Sequence, residues 1–339
     1  MEFTLLSAFS DELKEEWNGL LANNAHHVPF LRYEYQKTWW QTRGGGEWQN
    51  PVQMTVLARS EGRLVGIAPL FAADWQDRRT LLLGGSIEIS DYLDLIYAPE
   101  ARDAFIEGLL TFLENQPVGW QALDLYNLLD SSSTLSALQR AAELRGWNFE
   151  TQKLQHSPYI PLPGNWETYL AGIDKKQRHE IRRKMRRLAE AEVPSRWYVV
   201  SDPAQVDAEI EAFIELMAHD EQKAVFLTPP MREHMRSAMR CAFDEGCLHL
   251  AVLEIDGGKA AAYLSFNYLN RLWVYNSGLN PAYRDYSPGW VLLGNLLQWA
   301  NESGLSEFDF MRGDEDYKYR FGAVDRFVVR ATLTRGPAA

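Results

Sequence analysis

The densest group of reactive side chains in this chain lies near its C-terminus. Its acidic, basic and phenolic members are Arg312, Asp314, Glu315, Asp316, Tyr317, Lys318, Tyr319 and Arg320. The group directly follows residues 308–311, whose alternation of apolar and polar side chains predicts a short strand. Because the carboxyl ends of strands in α/β sheets commonly expose reactive groups, this cluster is a candidate centre for chemistry. A salt-bridged surface loop is the alternative interpretation.

A candidate phosphate site precedes the cluster. Residues 272–275 predict a strand, and residues 290–300 carry apolar side chains at helical spacing. The polar loop between them contains Pro281, Arg284, Ser287, Pro288 and Gly289. The start of a helix offers backbone N–H groups and a positive dipole end, which together bind phosphate. A phosphate-bearing donor beside a chemical centre indicates a group transferase, and a plain strand–helix–strand unit is the alternative.

The pattern of the chain predicts two similar halves. Residues 57–71 and 253–266 share a hairpin pattern, and a strand, a helix and another strand follow each hairpin. The first-half helix, residues 100–115, opens with Glu100 and Asp103, and these acids would repel phosphate. We therefore expect the donor site in the second half only.

The boundary between the halves is predicted near residue 160, because three prolines interrupt the pattern within residues 156–166. The expected domains are residues 1–160 and residues 161–339. Within the first domain, residues 90–97 alternate well enough to predict a strand, which would hold Asp94.

Length and composition restrict the class of protein. A chain of 339 residues favours about two domains, and 46% hydrophobic with 24% charged residues is typical of soluble globular proteins. The sequence contains no apolar run of about 18 residues, so no membrane span is expected. Its N-terminus lacks the pattern of a secretory signal, and a cytoplasmic location is therefore expected. The two cysteines and seven histidines show no metal-ligand spacing, so no metal is expected.

The net charge of −12 is unevenly distributed. Residues 175–187 hold eight Lys or Arg and one acid, on a helix that Asp174 and Gln177 are predicted to cap. Without this segment, which carries +7, the chain carries −19, so no broad nucleic-acid surface is expected. Three interpretations of the helix stay open: a solvated face, a grip on phosphates of the donor or of an anionic acceptor, and contact with tRNA.

Three motifs together resemble a known family. They are SPGW at 287–290, FDFMRGDEDYKYRFG at 308–322 and IRRKMRRL at 181–188. With them the chain resembles the tandem-GNAT acyltransferases of the CelD/BcsL type, relatives of the Fem peptidyl transferases. The G-D-E-x-Y-K-x-R-F-G run at 313–322 is the most specific part. This resemblance implies an α/β fold, with α+β character, of two tandem GNAT-like domains, each a splayed mixed sheet flanked by helices.

The same resemblance implies acetyl-CoA or another acyl-CoA as the donor. In the wider superfamily the pyrophosphate binds in the turn before the helix that follows the fourth strand, which corresponds here to Arg284–Trp290. This turn has a single glycine, Gly289, where the superfamily usually has several. The implied cofactor-binding residues are Asn276, Gly278, Arg284, Ser287, Pro288, Gly289, Trp290 and Arg320.

Acyl transfer from a thioester needs a deprotonated nucleophile, a stabilised oxyanion and a proton for the leaving thiolate. GNAT-like enzymes commonly supply that proton from a tyrosine shortly after the fifth strand, and Tyr317 is the candidate here, with Tyr319 in reserve. Lys318 would offset negative charge, or else pair with a neighbouring acid. Asp314 or Glu315 is the candidate base, acting directly or through water, with His219 and His249 as runners-up.

The first, degenerate domain is expected on the acceptor side, with the acceptor in the cleft between the domains. Asp94, Tyr92 and Arg178 are candidates for binding it. The predicted function is transfer of an acyl group, acetyl first, to an amine or hydroxyl of a small molecule or of an envelope or polysaccharide precursor. Two alternatives stay open: an aminoacyl-tRNA-dependent, Fem-like peptidyl transferase, and a catalytically inactive GNAT-fold binding module. A homodimer is also left open.

Overall fold

The computed structural model describes residues 1–24, 26–46, 48–85 and 89–335. The first part of the chain, up to His156, alternates strands with helices. Its strands are β1 Glu2–Leu5, β2 Gln49–Gln53, β3 Val56–Ser60, β4 Arg63–Ala68, β5 Leu70–Trp75, β6 Arg78–Leu83, β7 Ile96–Tyr97, β8 Ala122–Leu129 and β9 Asn148–His156. Its helices are α1 Lys14–Ala22, α2 Tyr33–Arg43, α3 Arg102–Glu114 and α4 Ser133–Arg145.

The second part of the chain holds the predicted donor and chemical sites. Its strands are β10 Tyr159–Pro161, β11 Ser195–Val199, β12 Leu248–Ile255, β13 Gly258–Tyr268, β14 Arg271–Leu279 and β15 Glu307–Asp309. Its helices are α5 Trp166–Gly172, α6 Lys175–Ala189, α7 Val206–Met217, α8 Glu221–Phe226, α9 Pro229–Asp244, α10 Pro288–Glu302 and α11 Asp316–Arg320, with a 3₁₀ helix at Pro281–Tyr286. A last strand, β16 Phe327–Thr334, follows.

The chain divides into two compact units, and the division differs from the predicted domains. The first unit comprises residues 1–156 together with 326–339, and the second comprises 157–325. The first break lies four residues before the predicted one. The larger difference is β16, which lies between β8 and β9 in the six-stranded sheet β2-β5-β6-β8-β16-β9 of the first unit. This final strand is a long-range partner that local patterns cannot assign, and residues 336–339 of the predicted second domain lie outside the described residues.

The predicted strand at 90–97 is wrong over most of its length. Only Ile96 and Tyr97 are in a strand, paired with β4 in the second sheet of this unit, β1-β3-β4-β7. The residues before them bond through side chains instead. The Ser90 hydroxyl donates to the Gly85 carbonyl at 2.7 Å, and the Asp94 carboxylate accepts from two hydroxyls at the start of α4.

The second unit is built on one mixed sheet, in the order β10-β15-β14-β13-β12-β11. Alternate side chains of β12 enter two separate cores. Ala251, Leu253 and Ile255 belong to the core that also takes the buried sides of α6 and α10, and Leu250 and Val252 belong to the core with α7 and α9. The predicted α/β class, with mixed sheets flanked by helices, is therefore confirmed.

The basic helix begins as predicted. The Asp174 carboxylate accepts from the backbone N–H groups of Lys176 and Gln177, at 2.9 and 3.2 Å, and so caps α6. Ile181 and Leu188 bury one side of the helix, and most of its arginines are exposed. Among the described residues, no helix combines the length and apolar character needed to cross a membrane.

Candidate active site

The sheet of the second unit opens between β14 and β15. These parallel strands pair only from Arg271 to Trp273 on β14, whereas β14 continues to Leu279. The pairing of β14 with β13 also shifts here, because neighbouring Leu264 and Ser265 face Asn276 and Val274. Tyr275 is the extra residue of this β-bulge, and a bulge bends its strand. The two strands therefore part at their carboxyl ends, which is the splay that the resemblance predicts.

A cleft of about 440 Å³ lies at the carboxyl end of β14. It is formed by the end of α7, the start of α8, the end of β14, the 3₁₀ helix and the first turn of α10. Its lining residues are Leu216, Met217, His219, Asp220, Lys223, Ser277, Leu279, Asn280, Pro281, Arg284, Ser287, Pro288, Gly289 and Trp290. The predicted donor turn is thus one wall of the cleft.

The first turn of α10 presents backbone donors at this wall. Ser287, the residue before the helix, has φ 53° and ψ 50°, the left-handed conformation that glycine adopts more readily. Pro288 follows at the first helical position, where its missing N–H group costs nothing. The N–H groups of Gly289 and Trp290 have no acceptor within the helix, as at every helix start. The turn can therefore offer two amides and the positive end of a 15-residue helix to an anion.

Lys223 on α8 is one of the charged residues that line the cleft. Its ammonium donates to the Ser277 carbonyl at 2.6 Å, and burial lowers its pKa from the ordinary value. Asp220 and Glu315 act against this shift, so both carboxylates lie within electrostatic reach of the ammonium. Asp220 also caps α8 by accepting from the amides of Gln222 and Lys223.

Lys318 is buried and committed to its own loop. It is 3% exposed, and its ammonium donates to the carbonyls of Phe310, Arg312 and Gly313 at 3.3, 2.8 and 3.1 Å. It also pairs with the Glu315 carboxylate at 2.9 Å. These contacts show that Lys318 stabilises the loop between β15 and α11. The same loop carries Glu315 and the exposed Asp314.

The buried Tyr263 and the half-buried Tyr317 are close enough to influence each other electrostatically. The Tyr263 hydroxyl donates to the Gly289 carbonyl at 3.4 Å, which links β13 to the first turn of α10. Burial raises the pKa of Tyr317, and the neighbouring Tyr263 and Glu315 raise it further. Burial likewise raises the pKa of Tyr263, with a contribution from Glu315. Both phenols are therefore protonated at neutral pH, the state in which a phenol donates a proton.

The other predicted site residues of this unit discussed next make contacts with their own neighbours in the fold. The Asn276 side chain accepts from the Ser277 amide at 2.9 Å. Gly278 lies tight against the end of α7, where an added Cβ atom would stand 2.6 Å from the Leu216 Cβ atom. The exposed Arg320 pairs with Asp316 on the same short helix, and the Tyr319 hydroxyl donates to Asp325 at 3.3 Å. None of these is part of the cleft lining.

The predicted acceptor residues do not form one group within either unit. Asp94 is buried in the first unit, where it accepts from Ser132 and Thr134 at 2.5 Å each, and burial raises its pKa. Tyr92 is buried in the same unit, and its hydroxyl accepts from Arg326 at 3.2 Å. Arg178 belongs to the second unit and donates to the Leu170 carbonyl at 3.3 Å. Their acceptor role stays a prediction.

The two histidine candidates are separated by the structure. His219 lines the cleft. His249 is buried beside Trp299, with ring centroids 4.2 Å apart, and burial lowers its pKa to about 4. In the described ranges, no group of three or more His, Cys, Asp or Glu side chains is arranged to hold a metal ion.

Sequence reasoning missed Lys223, Ser277 and Tyr263. Lys223 lies in an ordinary polar helix and reaches a carbonyl 54 positions away in the chain, so no local pattern distinguishes it. Tyr263 has the alternation of a core strand residue. The one available signal was its position in the hairpin at residues 253–266, which resembles the hairpin at residues 57–71.

Comparison with known proteins agrees with this geometry. Residues 175–319 match the family model described as an acetyltransferase (GNAT) domain. No curated protein sequence matches the chain.

Solved structures share the fold of nearly the whole chain. The structure of FemX has a TM-score of 0.70 and 11% identity, covering 98% of this chain and 97% of that one. The C-terminal DUF2156 domain of an Agrobacterium fabrum protein described as a lysylphosphatidylglycerol synthetase has a TM-score of 0.60 and 11% identity, covering 95% and 91%. L-PGS from Bacillus licheniformis has a TM-score of 0.57 and 11% identity, covering 96% and 92%. The splayed sheet and the cleft at the start of α10 thus lie in the part of the chain, residues 175–319, that is similar to a GNAT acetyltransferase domain.

Proposed function

We propose that this protein transfers an acyl group, acetyl in the first instance, from acyl-CoA to an amine or hydroxyl. The observation that carries the proposal is the cleft at the start of α10, because the residues around it lie within the GNAT match. The acceptor is a small molecule or an envelope or polysaccharide precursor, and the chain is of the CelD/BcsL type. Two amides and a helix dipole suit the donor's diphosphate, and Arg284 lies beside them in the cleft wall.

The apolar part of the lining suits the donor's uncharged arm. This part of the lining comes from the end of α7, with Leu216 and Met217, and from the end of β14, with Leu279. The acyl group would then lie in the gap where β14 has parted from β15. Five residues connected to this part of β14 by pairing, a hydrogen bond or electrostatic interaction would then be near the acyl group: Ser277, Lys223, Tyr263, Tyr317 and Glu315.

The chemistry is divided among these residues. A neutral amine attacks the thioester carbon, and Glu315, or Asp314 through water, accepts the proton that the amine loses. Collapse of the tetrahedral intermediate breaks the C–S bond, and the thiolate takes a proton from Tyr317. Lys318 positions the loop that carries Glu315, through the four contacts described above.

A second candidate function has one observation in its favour. The ammonium of Lys184 on α6 lies 4.1 Å from the ring centre of Trp290, so the basic helix passes the edge of the cleft at Lys184. A polyanionic donor such as aminoacyl-tRNA could lie along this helix. Several of its arginines are already paired within the unit, Arg182 with Glu167 and Arg183 with Glu180, which leaves less charge for such a donor.

Ligand-induced stabilisation separates the candidates. Acetyl-CoA, longer acyl-CoAs and aminoacyl-tRNA are each added at about 100 times the expected Kd, which stabilises a folded protein by about 2.7 kcal/mol. Stabilisation by acyl-CoA with release of free thiol in the presence of amines supports the proposal. Stabilisation by aminoacyl-tRNA alone supports the second function. Stabilisation by acyl-CoA with no thiol release for any acceptor favours an inactive binding module.

Two matched variants sharpen this experiment. Arg284→Ala removes a cation from the cleft wall, and Arg187→Ala removes an exposed cation from α6. If acyl-CoA is the donor, only the first variant weakens its binding. If tRNA is the donor, the second variant weakens binding and reduces its dependence on salt.

A further inference from the structure

The cleft contains a lysine whose position the donor site does not explain. Lys223 is half-buried, and its ammonium lies 2.6 Å from the Ser277 carbonyl and 3.5 Å from the Ser277 hydroxyl. A buried ammonium is costly unless it serves an interaction, and a carbonyl is a weaker partner than a carboxylate. The carboxylates of Asp220 and Glu315 act on it electrostatically and favour its charged form.

The position of Ser277 on β14 indicates what Lys223 could bind. Ser277 lies past the bulge at Tyr275 and past Trp273, the last residue paired with β15. The edge of β14 is therefore open to a ligand at this level, and the ammonium of Lys223 stands at that edge inside the cleft. A thioester carbonyl that entered the gap beside Ser277 would meet a positive charge held by α8.

We propose that Lys223 is a catalytic residue, whose ammonium binds the thioester carbonyl oxygen and stabilises the oxyanion of the tetrahedral intermediate. This inference rests on the proposed acyl transfer. The amine nitrogen forms a bond to the carbonyl carbon, and the electron pair of the C=O π bond moves to the oxygen beside Lys223. The pair returns when the C–S bond breaks, so Lys223 neither gains nor loses a proton.

The competing role for Lys223 is that of a brace between α8 and β14. A brace would contribute to the stability of the cleft and to donor affinity, whereas an oxyanion partner would act on kcat.

The two roles also differ in their dependence on pH. His219, Asp220 and Arg284 line the same cleft, and Glu315 acts on Lys223 from the loop after β15. Because burial lowers the pKa of Lys223, its charge is lost at a lower pH than that of an ordinary lysine.

The test uses the full chain, acetyl-CoA and a panel of small amines, with release of free thiol as the readout. Lys223→Met is expected to lower kcat about 10²- to 10³-fold, the usual effect of removing one oxyanion donor, while the KM for acetyl-CoA stays nearly constant. Lys223→Arg is expected to restore part of the rate. It should also displace the alkaline decline of kcat to higher pH, because a guanidinium stays charged. Lys259→Met is the matched control, since it removes another half-buried ammonium of this unit, one paired with Glu209 outside the cleft.

Each outcome decides between the roles. A large loss in kcat for Lys223→Met, with the displaced alkaline limb in Lys223→Arg, supports the oxyanion role. An unchanged kcat, or a loss confined to KM and thermal stability, overturns it and leaves the acyl transfer intact. Absence of both thiol release and CoA-induced stabilisation in the wild type overturns the proposed function itself, and this inference with it.

Discussion

The ammonium of Lys318 lies 2.9 Å from the carboxylate of Glu315 and is almost entirely enclosed by the loop that carries that carboxylate. The pair joins a buried cation to an exposed acid, since the Glu315 side chain is 57% exposed. Lys318, which the sequence predicts to offset negative charge, thus holds the loop through its carbonyls, and the Glu315 carboxylate stays exposed.

The first prediction concerns this lysine. Lys318→Met should destabilise the protein by about 2–3 kcal/mol, because three loop carbonyls would lose a charged donor. Urea denaturation measures the change. Arg320→Ala, on the same short helix, removes only an exposed ion pair with Asp316 and should cost less than about 1 kcal/mol. Equal effects of the two variants would contradict the buried role of Lys318.

The second prediction concerns the proton donor. Tyr317→Phe should lower kcat about 10²- to 10⁴-fold with little change in donor binding, since it removes only the phenolic proton. Tyr319→Phe is the control, because its hydroxyl is bonded to Asp325. Steady-state rates of thiol release measure both. A Tyr317→Phe enzyme that keeps the wild-type rate would exclude this phenol from the mechanism.

The third prediction compares two glycines of the cleft region. In Gly278→Ala the new Cβ atom would lie 2.7 Å from the backbone nitrogen of Met217, so the end of α7 must move and stability should fall by about 1–3 kcal/mol. In Gly289→Ala the nearest atom is the Leu279 Cδ2 atom at 2.8 Å, in a side chain that can rotate. The second variant should therefore unfold close to the wild type and lose donor affinity instead. Thermal unfolding with and without acetyl-CoA measures both effects.

The fourth prediction concerns pH. Burial lowers the pKa of His249 to about 4, whereas an unfolded chain has a histidine pKa near 6.5. The unfolded state therefore binds the proton more readily, so this contribution to stability is fully present above about pH 6.5 and is lost as the pH falls to about 4. The loss amounts to about 3 kcal/mol.

Urea unfolding of the wild type and of His249→Phe across this pH range isolates the effect. The phenyl ring keeps the contact with Trp299 but does not titrate. The difference in unfolding free energy between the two proteins should change between pH 7 and pH 4.5. A constant difference would show that His249 does not contribute to acid sensitivity.

Local patterns predicted the features that depend on neighbouring residues. The helix that follows the polar loop, the turn itself and the cap at Asp174 are all encoded within a few positions, and the structure has them, with the helix beginning at Pro288. The burial of Lys318, the approach of Lys223 to Ser277 and the bond from Tyr263 to Gly289 depend on packing between distant segments. The strand predicted at 90–97 failed for a related reason, because Asp94 is drawn to hydroxyls almost forty positions away.

The return of β16 to the first unit affects how this protein is made. During synthesis, the sheet β2-β5-β6-β8-β16-β9 lacks an interior strand until the ribosome has translated the whole second unit. β8 and β9 therefore lack the strand that pairs with both of them while residues 157–325 are synthesised, after β9 and before β16. A premature stop before Phe327 would consequently harm the N-terminal unit rather than the one just completed.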